Sequence, residues 1–279
     1  MKIPFVKLHG AKNDFLITMA EDVPLADLQE IAIAICDRYT GVGADGWMLL
    51  DRTGGDDPSG QSFDASIRLF NSDGSEPELS GNGTRCAAAL LALLQQKEPG
   101  QADKSDFHIW TAAGIKHLRL ISRGENEFRF EMNMGNIRIV EPAAKVQGFD
   151  AVIVDVGNPQ CVFPVDDFDF DWRTLGAAVE RDARFPNRTN VSFIRKMDRN
   201  TVDARFWERG AGETNSSGTG ATGAAAAALA RGFVDSPVTV QTPAGPLKVH
   251  FEPEAWLTGP AEYIADGTFD YGNLSIMGK

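Results

Sequence analysis

Residues 68–83 read RLFNSDGSEPELSGNG, and residues 205–220 read RFWERGAGETNSSGTG. The two stretches share an arginine, a glutamate and a Ser-Gly-x-Gly motif at the same spacing, and an Ala-rich segment follows each motif. So many matches at one offset without a gap indicate two homologous halves. Each half therefore presents a serine, Ser80 or Ser217, at the start of an Ala-rich helix.

The repeat predicts an α+β fold with two homologous lobes related by a pseudo-two-fold axis. We expect each lobe to be a mixed or antiparallel sheet or barrel around a central helix, with the active site in the cleft between the lobes. The first lobe is predicted to span residues 1–122 and the second 123–267, while residues 268–279 pack on the first lobe.

Hydrophobic periodicity gives the elements. We predict helices over residues 25–38, 81–97 and 172–180, and a further helix after Ser217. Alternating segments predict strands within 3–18 and over 47–50, 66–70, 107–110, 116–122, 127–132, 151–156, 161–165, 191–195, 203–207 and 261–264. A Gly/Asp-rich stretch, 54–60, is predicted to be a loop.

Composition favours a globular protein with a small-molecule ligand. The 279 residues are 43% hydrophobic and 24% charged, and the formal net charge of −12 argues against nucleic acid or an anionic membrane surface as the main partner. The N-terminal residues do not resemble a secretory signal, so we expect a cytoplasmic location. No apolar run is long enough to predict a membrane span.

The cysteines and histidines predict no metal site and no cofactor that depends on one. Cys36, Cys86 and Cys161 lie far apart without a C-x-x-C pair, and the four histidines show no metal-ligand spacing. Each cysteine is interpreted as a small buried hydrophobic residue.

Two interpretations fit the Ser-Gly motifs. Ser80 and Ser217 are ordinary N-caps, or the helix starts bind an anion through unpaired backbone N–H groups. Residues 218–223, GTGATG, also match the G-x-G-x-x-G dinucleotide pattern. A polar loop rather than a strand precedes these glycines, so we do not predict nucleotide binding. Helix packing is sufficient to explain Gly223.

Over almost its whole length the sequence resembles the diaminopimelate epimerase family. The matching stretches are His9-Gly-Ala-Lys-Asn-Asp-Phe15, Gly41-Val-Gly-Ala-Asp-Gly46, residues 68–76, Gly81-Asn-Gly-Thr-Arg-Cys86, Gly157-Asn-Pro159, Thr189-Asn-Val191 and Glu208-Arg-Gly-Ala-Gly-Glu-Thr214. The resemblance implies a cofactor-independent reaction in which two cysteines, on opposite sides of the substrate α-carbon, act as base and acid. It also implies an isomerase of lysine and peptidoglycan precursor biosynthesis, and commonly a homodimer.

Carried over position by position, the resemblance names the site. The two catalytic cysteine positions are Ser80 and Ser217, the histidine position is Gln160, and Glu208 is a further catalytic candidate. The implied substrate-binding residues are Asn13, Asn71, Gly81, Asn82, Asn158, Asn190, Glu208, Arg209, Gly218 and Thr219.

Serine at the two cysteine positions makes proton removal from the substrate harder. A thiol titrates near pH 8.5 whereas a serine hydroxyl is a far weaker acid, and each unit of pKa costs about 1.4 kcal/mol in forming the anion. Serine acts as a base only where a neighbour takes its proton or stabilises the alkoxide. Glu76 and Glu213, four residues before each serine, are candidate helpers or else loop carboxylates that bind backbone N–H groups.

Four hypotheses stay open at this point. The chain is an epimerase that interconverts LL- and meso-diaminopimelate with a modified acid–base pair, or its serines were introduced to trap a substrate complex. It is a non-catalytic relative that binds an amino acid, or it is another isomerase on the same scaffold, such as the phenazine-biosynthesis type, in which a carboxylate transfers the proton.

Overall fold

The computed structural model describes residues 1–24, 26–97 and 104–272. The chain divides into two compact units, of which unit 1 holds residues 1–131 with the described residues from 260 onward, and unit 2 holds residues 132–259. The sequence prediction places the first division earlier, after residue 122, and the second later, after residue 267. Residues 268–270 pair with strand β1 of unit 1, whereas residues 273–279 lie outside the described part.

Unit 1 is an eight-stranded sheet with two helices. Its elements are β1 (Lys2–Gly10), β2 (Asn13–Met19), a short 3₁₀ helix (Ala20–Asp22), α1 (Leu28–Cys36), β3 (Gly46–Asp51), the hairpin strands β4 (Gly55–Asp56) and β5 (Ser62–Phe63), β6 (Ala65–Asn71), α2 (Gly81–Lys97), β7 (Asp106–Thr111), β8 (Gly114–Arg123) and β9 (Glu127–Gly135). The strand order is β1-β2-β3-β6-β7-β8-β9, and the last strand of the chain, β18 (Ala255–Asp270), lies beside β9 and pairs with β1. This second pairing closes the sheet into a barrel.

Unit 2 contains β10 (Arg138–Val146), β11 (Phe149–Asp155), β12 (Pro159–Pro164), α3 (Trp172–Glu180), β13 (Asn190–Lys196), β14 (Thr201–Glu208), β15 (Gly212–Thr214), α4 (Gly218–Ala230), β16 (Val238–Thr242), β17 (Gly245–Phe251) and the first part of β18. Its strand order is β10-β11-β12-β13-β14-β16-β17-β18. Helix α4 packs against the strands from β10 to β17, with the exception of the short β15.

The pairing pattern shows that the lobe is duplicated. In unit 1 the pairs from β1 to β8 run antiparallel, parallel, antiparallel, parallel and antiparallel. In unit 2 the pairs from β11 to β17 run in the same series. Strands β6 and β14 carry the repeated sequence, and each is followed by an Ala-rich helix. The predicted two-lobed α+β fold is therefore confirmed.

Both repeated helices are enclosed by their sheets. The alanines at 87–89 and 92 of α2 and at 224–228 of α4 are buried, because alanine lets a helix approach the surrounding strands closely. Within the described residues, none of the helices combines the length and the apolarity that a membrane span needs. The three cysteines are free and buried, as predicted.

Some elements differ from the sequence prediction. Strand β10 was not predicted, because its burial is irregular and Pro142 interrupts its alternation. Strand β18 is much longer than the predicted 261–264, since Gly259 and Pro260 conceal its continuity. Helix α1 begins at Leu28 and ends at Cys36, where Asp37 turns extended and accepts hydrogen bonds from the backbone N–H groups of two following residues. Leu25 lies outside the described residues.

Candidate active site

Ser80 and Ser217 cap their helices in the same way. Ser80 Oγ accepts a hydrogen bond from the Gly83 N–H at 3.1 Å, and Ser217 Oγ accepts one from the Gly220 N–H at 3.1 Å. A Cβ on residue 220 would lie 2.9 Å from the Ser217 Oγ, so glycine keeps this cap accessible. The N-cap interpretation is confirmed for both serines, and each cap leaves further N–H groups of the first turn without an intrahelical partner.

Ser217 also has a proton acceptor. Its hydroxyl donates to Glu208 Oε2 at 2.9 Å, and the Thr214 hydroxyl donates to Glu208 Oε1 at 2.7 Å. Burial raises the pKa of the Glu208 carboxyl above its ordinary value, and the two hydroxyl donors oppose that rise. A carboxylate with a raised pKa, bonded to a serine hydroxyl, is an arrangement that can remove the serine proton.

Gln160 lies beneath α4 in unit 2. Its side chain is fully buried, Nε2 donates to Asn158 Oδ1 at 2.7 Å, and Oε1 has no partner among the described residues. A Cβ on residue 223 would lie 3.0 Å from Gln160 Cγ, so Gly223 is the residue that lets the helix pass over this glutamine. Packing therefore accounts for the third glycine of the G-x-G-x-x-G match.

Asn190 and Arg209 lie together at the ends of β13 and β14. The Arg209 backbone N–H donates to Asn190 Oδ1 at 3.0 Å, and Asn190 Nδ2 donates to the Pro159 carbonyl at 3.3 Å. The Arg209 guanidinium is largely exposed and donates to the Asn187 carbonyl at 3.2 Å. These contacts fix the backbone at 208–210 and leave most guanidinium N–H groups able to bind an anion.

Glu180 supports this turn and was missed by sequence reasoning. The carboxylate is buried and accepts hydrogen bonds from Trp207 Nε1 and the Gly210 N–H, each at 3.0 Å, and from Arg188 at 3.2 Å. Although burial raises the pKa of Glu180, these donors outweigh it and lower the pKa. No sequence pattern marks this residue, because a glutamate at a helix end is usually on the surface.

In unit 1 the polar residues near Ser80 form a chain. Asn82 Nδ2 donates to Asn13 Oδ1 at 3.3 Å, and Asn13 Nδ2 donates to Asp45 Oδ2 at 2.6 Å. Arg85, buried on α2, donates to Asn82 Oδ1. Asp45 and Arg85 were missed as site residues, although both lie inside the quoted motifs. Asn71 ends β6, and its Nδ2 donates to Ser75 Oγ at 3.0 Å.

Among the described residues, Glu76 and Glu213 are neither proton acceptors for the serines nor partners of backbone N–H groups; each binds an arginine. Glu76 binds Arg68 through both oxygens at 2.7 and 2.8 Å, and Glu213 binds Arg173 at 2.6 and 2.8 Å. The Arg68 guanidinium lowers the pKa of the Glu76 carboxyl, and both carboxylates have their oxygens occupied by an arginine rather than by a serine. Neither glutamate is therefore a helper for its serine, and neither binds backbone N–H groups among the described contacts.

Hydrogen bonds link some of the predicted site residues within each unit, in separate groups, and each unit carries its own set. Unit 1 contains the predicted site residues Asn13, Asn71, Ser80, Gly81 and Asn82, and unit 2 contains Asn158, Gln160, Asn190, Glu208, Arg209, Ser217, Gly218 and Thr219. The glycines Gly81 and Gly218 are the first residues of α2 and α4. Both helix starts suit a ligand that carries carboxylate groups.

Comparison with known proteins now places the chain. The family model for diaminopimelate epimerase matches residues 5–140 and 152–264. The chain belongs to the diaminopimelate epimerase family. The diaminopimelate epimerase of Moorella thermoacetica is 37% identical, over 95% of this chain and 98% of that protein, and the enzyme of Microcystis aeruginosa is 35% identical, over 96% and 99%.

Solved structures show the same fold in more distant proteins. A phenazine biosynthesis protein of the PhzF family from Bacillus anthracis matches with a TM-score of 0.70 and 15% identity, over 96% of this chain and 99% of that one. A hydroxyproline epimerase from Agrobacterium vitis, solved with trans-4-hydroxy-L-proline, gives 0.69 and 15%, over 96% and 92%. Family membership makes the chain an isomerase of the amino-acid epimerase type, as predicted, with an amino acid as its small-molecule substrate.

Proposed function

We propose that this diaminopimelate epimerase family member is a cofactor-independent epimerase that interconverts LL- and meso-diaminopimelate, with Glu208 and Ser217 acting together as one proton-transfer group. The observation that carries the proposal is the hydrogen bond from the Ser217 hydroxyl to Glu208, at 2.9 Å. The proposal also places the chain in lysine and peptidoglycan precursor biosynthesis, in the cytoplasm, as a homodimer.

The proton balance of this step follows from the contact. The substrate Cα–H bond breaks and its proton goes to Ser217 Oγ, while the Ser217 proton goes to Glu208 Oε2. The electron pair of the broken bond stays on the substrate as a carbanion. A raised pKa makes Glu208 a better proton acceptor than an ordinary carboxylate, and the transfer avoids a free alkoxide.

The returning proton is assigned to Ser80. In the two-base reaction that the family implies, this serine donates its hydroxyl proton and is afterwards reprotonated by solvent, while Glu208 releases the proton that it accepted to solvent. Backbone N–H groups at the two helix starts, at Gly81, Asn82, Gly218 and Thr219, are proposed to hold the substrate carboxylate. Asn13, Asn71, Asn158, Asn190 and Arg209 are proposed to bind its remaining polar groups.

A non-catalytic protein that binds the same amino acid is the second candidate. One observation favours it: among the described residues, none accepts a hydrogen bond from the Ser80 hydroxyl. The family's histidine position is also glutamine, whose amide cannot exchange a proton at neutral pH as an imidazole does. This candidate predicts affinity without α-proton exchange.

Deuterium exchange tests the proposal. LL- and meso-diaminopimelate are incubated with the chain in deuterated water, and loss of the α-proton NMR signal is followed, with Glu208→Gln and Ser80→Cys/Ser217→Cys variants alongside. The epimerase proposal predicts exchange that the Glu208 substitution abolishes. Binding by calorimetry, with exchange only in the double cysteine variant, would instead support the non-catalytic relative. Neither binding nor exchange in any variant would contradict both candidates.

A further inference from the structure

Arg85 is a buried cation without a carboxylate partner. Its side chain is fully buried on α2, Nε donates to the Pro260 carbonyl at 3.2 Å, and Nη2 donates to Asn82 Oδ1. Among the described residues, Nη1 has no hydrogen-bond partner and no ion pair includes this guanidinium. Burial lowers the pKa of Arg85 to about 10. A buried charge of this kind needs a counter-ion, and the described residues place no carboxylate against it.

Arg85 also sets the direction of the hydrogen-bond chain in unit 1. A guanidinium only donates, so the Asn82 carbonyl must face it, and Asn82 Nδ2 then faces Asn13 Oδ1. At the other end a carboxylate of Asp45 accepts from Asn13 Nδ2. Both amides are therefore held in one orientation, and each keeps one N–H available to an acceptor.

The second copy of the repeat shows that helix packing does not require this arginine. The residue at the matching position of α4 is Thr222, whose hydroxyl donates to the Gly218 carbonyl of its own helix at 2.9 Å. Helix α4 is as fully enclosed as α2 and folds in the same topology without a cation. The charge is thus a property of the first helix start alone.

We propose that Arg85 supplies the positive charge that binds a ligand carboxylate at the start of α2, and that it acts through Asn82, whose amide it orients. Arg85 is a positioning residue, since Asn82 and the backbone N–H groups make the contact with the ligand. The amino-acid ligand rests on the proposed function. The plainer alternative is that Arg85 only ties α2 to the Pro260 carbonyl of β18.

Substitutions of Arg85 separate these roles. Arg85→Lys, Arg85→Gln and Arg85→Met are compared with Thr222→Val, the matched position in α4, by calorimetry with LL- and meso-diaminopimelate and by thermal unfolding. We expect the Gln and Met variants to bind about 10- to 100-fold more weakly, because a charge-assisted interaction is lost. Thr222→Val is expected to keep its affinity within about threefold.

The pH dependence of ligand affinity in the lysine variant distinguishes the two roles, because a purely structural contact with the Pro260 carbonyl would not produce it. A buried lysine has a lowered pKa, so Arg85→Lys should bind well at low pH and lose affinity as pH rises through that pKa. The described titratable group that acts on residue 85 is Cys86, which stays neutral because burial raises its pKa to about 12. The natural chain should hold its affinity up to about pH 9. Unchanged affinity in Arg85→Gln, or lysine binding independent of pH, would overturn the proposal.

A second probe keeps this test separate from the proposed function. Acetate is titrated into the ¹⁵N-labelled natural chain and the Arg85→Gln variant while the side-chain amide signals of Asn82 and Asn13 are followed. We expect acetate to shift both signals only when Arg85 is present. If diaminopimelate does not bind but this shift occurs, the proposed substrate is wrong and the role of Arg85 stands. If acetate shifts neither signal in the natural chain, the role of Arg85 is wrong.

Discussion

The starts of α2 and α4 share a backbone arrangement and differ in charge. Each begins with a serine that caps the helix through the same 3.1 Å hydrogen bond from the third residue after it. At α4 the serine is buried and donates to Glu208. At α2 the serine is half-buried, and the position of the repeat that corresponds to Glu208 holds Asn71. At α2 the helix carries Arg85, where α4 has Thr222.

This difference teaches which properties a duplication keeps. The cap, the glycines and the alanines follow from enclosing a helix in a sheet, so both copies retain them. The enclosure of the helices does not require the charged residues, and these differ in sign between the copies. The α4 start has a carboxylate with a raised pKa, Glu208, and the α2 start has a buried guanidinium, Arg85. The two proposals above follow this difference: one start would accept a proton and the other would hold an anion.

The largest expected effect comes from replacing both serines with the more acidic cysteine. Ser80→Cys with Ser217→Cys is expected to raise the α-proton exchange rate about 10³-fold or more, because a thiol is several pKa units more acidic than a hydroxyl and each unit is tenfold. Deuterium incorporation into diaminopimelate measures it. Each single substitution is the control, and a double variant no faster than the natural chain would show that the serines are not at the reacting positions.

Removing the carboxylate from the α4 start is the next test. Glu208→Gln is expected to lower the exchange rate about 10²- to 10⁴-fold, the usual contribution of a positioned base. The control is Glu213→Gln, which removes a nearby carboxylate that binds Arg173 rather than a serine, and it should leave the rate nearly unchanged. Equal losses in both variants would mean that the rate depends on losing any nearby carboxylate, and not on proton transfer to Glu208.

The pH dependence sharpens the same contrast. Glu208 must be ionised to accept a proton, and burial raises its pKa, so the exchange rate should fall about tenfold per pH unit below a midpoint that lies above the ordinary value for glutamate. The rate–pH profile of Glu208→Gln should lack this limb. A natural profile with its midpoint at or below the ordinary glutamate value would contradict the assignment.

The smallest expected effect is the difference in unfolding free energy between the two cap substitutions. Ser80→Ala and Ser217→Ala each remove an N-cap worth about 0.5–2 kcal/mol of unfolding free energy. Ser217→Ala should lie at the upper end, because it also removes a hydrogen bond from a carboxylate that burial destabilises. Denaturant unfolding of the two variants measures the difference, and a larger loss for Ser80→Ala would contradict it.

Much of the fold was predictable because the repeat and the hydrophobic periodicity are local signals. The motif at 80–83 and 217–220 located both helices, and the alternation at 66–70 and 203–207 located the strands before them. The long strand β18 was underestimated, since Gly259 and Pro260 are typical of turns, and only its pairing partners make it continuous.

The candidate residues can be named from the sequence, but their contacts cannot. Glu208 was a candidate, yet its bond to Ser217 depends on the short β15 pairing that turns the chain back along β14. Glu76 and Glu213 looked equivalent as helpers, and only the fold brings Arg68 and Arg173 to them. Arg85 belongs to a motif of the sequence but is not predicted as a site residue, because its burial depends on the enclosure of α2 by the sheet.

The most direct test of the central claim is the α-proton exchange rate of meso-diaminopimelate in deuterated water for the natural chain, Glu208→Gln and Glu213→Gln at one neutral pH. The coupled Glu208 and Ser217 group predicts measurable exchange in the natural chain, the same rate in Glu213→Gln, and a loss of at least about 100-fold in Glu208→Gln. Exchange in Glu208→Gln as fast as in the natural chain would contradict it.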